Sequence, residues 1–172
     1  MAGKYLYFVE GECEKKFLKS FMLQKEPLFI QGKVEIFNVI NARMSNAQAR
    51  TIKNDTKVIL VFDTDVENID TLEENLKTLT NVANVKPNNI YLVLSVKCFE
   101  DELVCFCSKV KTINDLFKTK SSQEFKNKFI NHADIVSKLE SVDFDINVIW
   151  TRNGSSPFDK YQNQGNKIKR IK

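Results

Sequence analysis

Histidine is nearly missing from this chain. Its single example, His132, has no partner in the surrounding sequence with which to share a proton or a metal, so zinc centres and Cys/His catalysis are not expected. Four cysteines are present, Cys13, Cys98, Cys105 and Cys107, but no two have Cys-x-x-Cys spacing. Cys105 and Cys107 stand two apart, which on a helix points them in different directions, and their apolar neighbours mark both as reduced core thiols. Only 5 Gly and 3 Pro argue against linkers and loop-dominated folds. No uncharged apolar run approaches the roughly 18 residues that a membrane span needs. The N-terminus runs from Met1 to Lys4 directly into a short apolar segment without a signal-peptide pattern. The expected location is the cytoplasm, with no membrane partner. A Walker lysine loop is also lacking, so any ATP dependence must come from another protein.

What is present describes one ordinary domain. A length of 172 residues fits a single unit, 1–172. Hydrophobic residues make up 42% of it, and 13 are Phe, enough to build a core without staples. The net charge of +4 is mildly basic and compatible with nucleic acid. Much of the excess lies in a basic C-terminal tail at about 165–172, where Lys167, Lys169, Arg170 and Lys172 form either a solvated end or an arm contacting phosphates.

Hydrophobic patterning gives the order β-α-β-α-β-α-β-α-α-β. Continuous apolar runs at 5–9, 57–62 and 89–95 read as strands buried on both faces, with a more mixed strand at 34–40 and a last one at 145–150. Helical stripes occupy 12–23, 67–83 and 122–140, with weaker ones at 44–53 and from Phe99 to Val110. Strands alternating with helices predict an α/β fold with a mostly parallel, four- to five-stranded sheet and helices on both faces. Tyr5, Tyr7 and Phe8 belong to a buried strand and are not read as platforms for stacked bases.

Two of these strands end in acid. The first leads into Glu10-Gly11-Glu12, with Glu14 one turn into the next helix; the third leads into Asp63-Thr64-Asp65. Ligands of open parallel sheets bind outside the C-terminal strand ends, so these acids converge if the two strands are neighbours. Clustered carboxylates repel one another and call for a cation, and oxygen donors without His or Cys suit Mg²⁺ or Mn²⁺. The alternative for Glu12 and Glu14, and for Asp63 taken alone, is helix capping. Gly11 permits a tight turn or a close backbone approach.

Phe8-Val9-Glu10-Gly11 followed by Phe62-Asp63-Thr64-Asp65 resembles the Toprim domain of topoisomerases, primases and OLD-type nucleases. The segment Ser95-Val96-Lys97-Cys98-Phe99-Glu100-Asp101-Glu102-Leu103 is similar to the Ser-Asn-Pro-x-Phe-Glu-x-Trp-Leu stretch of RloB-like Toprim proteins, with Val96, Lys97 and Glu102 replacing Asn, Pro and Trp. The resemblance spans about residues 4–110 and implies a Toprim-like, Rossmann-like sheet with Mg²⁺-dependent phosphodiester chemistry. It makes Glu10 the general acid/base and Asp63 and Asp65 the metal-binding aspartates. Glu14 matches an acid that holds a second metal in the OLD branch, and Glu100 matches the Phe-Glu acid of the RloB stretch. The late lysine of OLD-type sites has its candidate in Lys160. By the same resemblance the chain acts on DNA or RNA beside an AAA- or ABC-type ATPase in bacterial defence against phage.

Physically, a carboxylate-held metal polarises a phosphoryl oxygen and orients water, while Lys160, Arg152 or the basic tail contacts the backbone of the nucleic acid. Two other functions stay open: a non-catalytic subunit of the same fold docked on an ATPase, and a receiver-like domain with Asp63 as phosphoacceptor. Homo-oligomerisation is left open too.

Overall fold

In the computed structural model, which describes residues 4–170, the apolar runs become parallel strands. The elements in chain order are β1 (Tyr5–Val9), α1 (Glu12–Met22), β2 (Lys33–Ile36), α2 (Asn46–Arg50), β3 (Lys57–Asp63), α3 (Asp70–Asn81), β4 (Ile90–Ser95), α4 (Phe99–Cys105), α5 (Ile113–Phe117), α6 (Ser122–Asn131) and α7 (Ile135–Glu140). Short 3-10 turns at Pro87–Asn89 and Gly165–Ile168 complete them. The strands form one all-parallel sheet in the order β2-β1-β3-β4.

Period-two alternation sends side chains to two cores. Tyr7, Val9, Ile59, Val61 and Val93 join the cluster built with α1 and α4–α7. Phe8, Val58, Leu60, Phe62 and Leu94 join the one built with α2 and α3. At the centre of the first, Phe17 of α1 lies 4.8–5.9 Å, ring to ring, from Phe21, Phe29, Phe99, Phe144 and Trp150. Truncating such a residue costs roughly 3–5 kcal/mol. Phe17 therefore fixes α1, and with it the acids of the first helical turn, against the sheet.

The strand expected at 145–150 does not form. Asp145 N–H donates to Phe106 O and Val148 N–H to Asp145 O, the segment turns, and Trp150 takes a positive φ of 56° to enter the core with no exposed surface. The outer edge of β4 is covered by the segment that follows. Gln164 N–H donates to Leu92 O and Leu92 N–H to Gln164 Oε1; Asn163 Nδ2 donates to Leu94 O and Leu94 N–H to Asn163 Oδ1. Two amide side chains thus satisfy an edge that would otherwise invite another chain.

Three further expectations change. The helix expected over 122–140 is two helices, parted where Asp134 caps α7 by accepting from Ser137 N–H. The helix from Phe99 stops at Cys105. Of the two cysteines expected in the core, Cys107 is buried but Cys105 is exposed, and all four thiols are free. No helix among the described residues is long and apolar enough to cross a membrane.

A candidate active site at the strand ends

The strand order satisfies the condition that the acids require. β1 and β3 are hydrogen-bonded neighbours, and the chain leaves β1 toward β2 on one side but reaches β3 and β4 on the other. The strand order reverses between them, and α1 and α2 cover opposite faces. That switch point is where open α/β sheets bind ligands.

A cleft of about 250 Å³ opens there, lined among others by Glu10, Glu14, Asn38, Asp63, Glu100 and Lys126. Glu10, next after β1, is braced on both oxygens. Asp63 N–H donates to its Oε1 (3.1 Å) and Asn38 Nδ2 to its Oε2 (3.1 Å). Asn38 is itself oriented, because its Oδ1 accepts from Ile40 and Asn41 N–H. Glu14 lies in the first turn of α1 and is buried, with its own backbone N–H as hydrogen-bond donor. Gly11 has φ −150°, which any residue adopts, so its value here is space: a Cβ on it would stand 3.3 Å from Glu14 Oε2. Glu100 opens α4 and meets Lys126 of α6 at 3.2 Å.

Asp63 ends β3, and its Oδ1 is a buried polar atom without a hydrogen-bond partner. Such an atom costs roughly 1–3 kcal/mol and asks for an explanation. Burial, then the charges of Glu10 and Glu14, push the Asp63 carboxyl from 3.8 up to about 9, against the hydrogen bond from Ser95. Burial, with Glu100 and Glu10, lifts Glu14 to about 7. Glu10 is raised as well, chiefly by burial, despite its two donors. Without a counter-ion, the cleft holds Asp63 protonated and Glu14 partly so at neutral pH.

The donor set fits a hard divalent cation in kind: carboxylates only, one oxygen unpaired, like charges pressed together. In arrangement it is not closed. Among the described residues no group of three His, Cys, Asp or Glu side chains stands ready to hold a metal ion. Glu10 is turned to Asn38 and the Asp63 backbone, so gathering the acids on a cation requires its rotation.

The other sequence-predicted residues lie elsewhere or are occupied. Asp65 is exposed and does not line the cleft, although its charge reaches Glu10. Lys160 pairs with Glu73 of α3 and borders a different depression beside Leu76 and Tyr161. Arg152 donates from Nε and Nη2 to Oε1 of the fully buried Glu102 (3.2 and 2.7 Å), which also accepts from Val96 and Trp150 N–H. The guanidinium closes an internal network and is not free for phosphates.

The C-terminal segment is not a tail up to residue 170. Ile168 is fully buried, Ile30 N–H donates to Ile168 O, and Arg170 N–H donates to Leu28 O. Gly165 passes so close to Trp150 that a Cβ would stand 2.1 Å from its carbonyl oxygen. Lys169 is buried, donates to Asn147 O, and is lowered to about 8 by burial. Lys167 lies over the Tyr91 ring, and the Arg170 side chain is exposed. Lys172 lies outside the described residues.

Asn38 and Lys126 were missed by sequence reasoning. Asn38 gave no strand-end signal, because the second strand, expected over 34–40, ends at Ile36 and leaves Asn38 two residues beyond it. Lys126 had none, because only the fold of α6 against α1 brings it to the acids. No protein-family model, curated protein or solved structure matches the chain.

Proposed function

We propose that this chain is a divalent-metal-dependent phosphodiesterase of nucleic acid, of the Toprim kind that its motifs resemble. The observation that carries this reading is the meeting of Glu10 and Asp63, from adjacent parallel strands, with Glu14 and Glu100 in one cleft, leaving a buried Asp63 oxygen unpaired. Glu10, Asp63 and Glu14 would hold Mg²⁺ or Mn²⁺, with Glu100 and Asp65 at the margin. The metal would supply charge to a phosphoryl oxygen and lower the pKa of an attacking water. Glu10 is the general acid/base of this reading, acting once it turns away from its donors Asn38 Nδ2 and Asp63 N–H. Lys126 is the cation lining the cleft and takes over, in this reading, the phosphate contact first assigned to Lys160. The ATPase partner and the role in defence against phage belong to the same proposal and rest on the resemblance alone.

Binding of Mn²⁺, followed by the loss of its free electron-resonance signal, tests the site without requiring turnover. The parent should take up Mn²⁺, and Asp63→Asn and Glu10→Gln should each lose it. Cleavage of labelled DNA and RNA, by the chain alone and with a co-purifying ATPase, then tests the activity. Equal Mn²⁺ uptake by all three proteins refutes the site. The lack of a ready-made metal group favours a second reading, a non-catalytic docking subunit, and metal uptake without cleavage in either preparation would leave that one standing.

A further inference from the structure

A second depression lies away from the acids at the strand ends, over β1 and β2. β2 is an edge strand of four residues. Its inner neighbour β1 sends Leu6 and Phe8 to the face shared with α2 and α3, and α2 is only five residues long. A groove of about 360 Å³ is left open over these strands. That falls in the range of roughly 300–1,000 Å³ typical of ligand sites.

Its chemistry is two-sided. The floor is apolar: Phe8, Met44 and Ile52 are nearly buried, and Phe37 is half-buried with its ring edge-to-face on Phe8, centroids 5.6 Å apart. The lining carries three lysines, Lys4, Lys33 and Lys53, against one acid, Glu35, which Lys33 already pairs. An apolar floor under a cationic rim suits a ligand with an aromatic face and an anionic chain. Peptides rich in acid lack the first of these, and duplex nucleic acid buries its bases.

We propose that this groove binds one unpaired nucleotide of a single-stranded nucleic acid, its base against Phe37 and the apolar floor and its phosphates on Lys33, Lys53 and Lys4. The inference deepens the nuclease reading by naming a single strand as its substrate, and rests on it to that extent. Phe37 is next in sequence to Asn38, the residue that braces Glu10, so the groove adjoins a residue of the acidic cleft through the backbone.

Fluorescence anisotropy of short labelled oligonucleotides, in chelator so that no metal chemistry intervenes, tests it on the full chain. The parent should bind a single strand more tightly than the duplex of the same sequence. Phe37→Ala should weaken single-strand binding by about tenfold, the scale of losing one base–aromatic stack. Lys4→Gln with Lys53→Gln should lower the salt slope by roughly 0.7 per lost phosphate contact. Both lysines are exposed, so this variant keeps the test sound if Phe37→Ala fails to fold. Lys120→Gln, an exposed lysine that lines neither the groove nor the acidic cleft, should bind as the parent does. Unchanged affinity and slope in the lysine variant, duplex binding as tight as single-strand binding, or displacement by an acidic peptide at equal concentration each overturn the proposal. If the groove behaves as stated but parent and Glu10→Gln take up no Mn²⁺, the nuclease reading fails and the groove stands. If Mn²⁺ uptake and cleavage are as proposed while groove variants bind normally, the groove fails alone.

Discussion

Replacing Asp63 with Asn should stabilise the metal-free protein at neutral pH and leave it unchanged in acid. The Asp63 carboxyl is raised from 3.8 to about 9, so the folded state binds its proton more tightly than the unfolded chain does. The stability linked to this group is fully present below pH 3.8 and is lost as pH rises from there through about 9. Roughly three pH units separate the lower value from pH 7, and each is worth about 1.4 kcal/mol, which bounds the loss at about 4 kcal/mol. Glu10 and Glu14 share the same repulsion, so about half, ~2 kcal/mol, is expected from removing one carboxyl. For a domain of this length that is roughly 4–8 °C in Tm. Thermal melts of parent and Asp63→Asn in chelator, at pH 4, 5.5, 7 and 8, should coincide at the acid end and diverge with rising pH. Saturating Mg²⁺ should then raise the parent by about 2.7 kcal/mol at one hundred times its dissociation constant and leave the variant where it was. An Asn variant less stable than the parent at pH 7, or an offset independent of pH, would refute the electrostatic account. A Mg²⁺ shift of equal size in both proteins would refute the metal site.

Three more outcomes follow from the same contacts. Glu102→Gln removes the charge that holds the Arg152 guanidinium and should cost about 3 kcal/mol by urea unfolding, the lower end for a broken buried pair because Arg152 is 36% exposed. Deleting residues 167–172 takes away a fully buried Ile168 and three backbone hydrogen bonds, for a loss of roughly 4 kcal/mol; an unchanged midpoint would show that the segment is a free end after all. In a cleavage assay on the purified protein or its ATPase complex, Lys126→Ala should lower the rate at least tenfold while Lys160→Ala stays near the parent; the reverse order would restore Lys160 to the site.

The fold class was legible because the central strands are long, apolar and bounded. Five apolar residues lead into Asp63, and nothing but a strand buried on both faces accommodates them between two amphipathic helices. The segment 145–150 shows where that logic ends. Ile146, Val148 and Trp150 alternate as a strand should, yet alternation does not say whether an edge is vacant, and the β4 edge is taken by Asn163 and Gln164. The break between α6 and α7 was written in Asp134 and Ser137, a capping pair set inside a continuing apolar stripe. In the site, the acids at strand ends could be found because strand ends are places in the sequence. Asp65 and Glu14 could not be ranked that way. Two residues beyond the end of β3, Asp65 is already exposed to solvent, while the first turn of α1 folds Glu14 in over Gly11.

The cations were the least legible part, for a physical reason that also narrows where a nucleic acid can lie. Net charge counts lysines and arginines without regard to what already neutralises them. Arg152 is held by Glu102, Lys160 by Glu73, Lys126 by Glu100, and Lys169 is buried on backbone carbonyl and amide oxygens. An ion pair of this kind releases no counter-ions to a phosphate until it is broken, so it adds little to affinity. The acidic cleft itself repels a polyanion unless a metal occupies it. The cations around the β1–β2 groove are placed to hold a strand before the metal binds, since Lys4 and Lys53 are exposed there and Lys33 alone is paired. Capture is in this way assigned to the groove over β1 and β2 and chemistry to the ends of β1 and β3, with Phe37 and Asn38 as the neighbouring residues that join them.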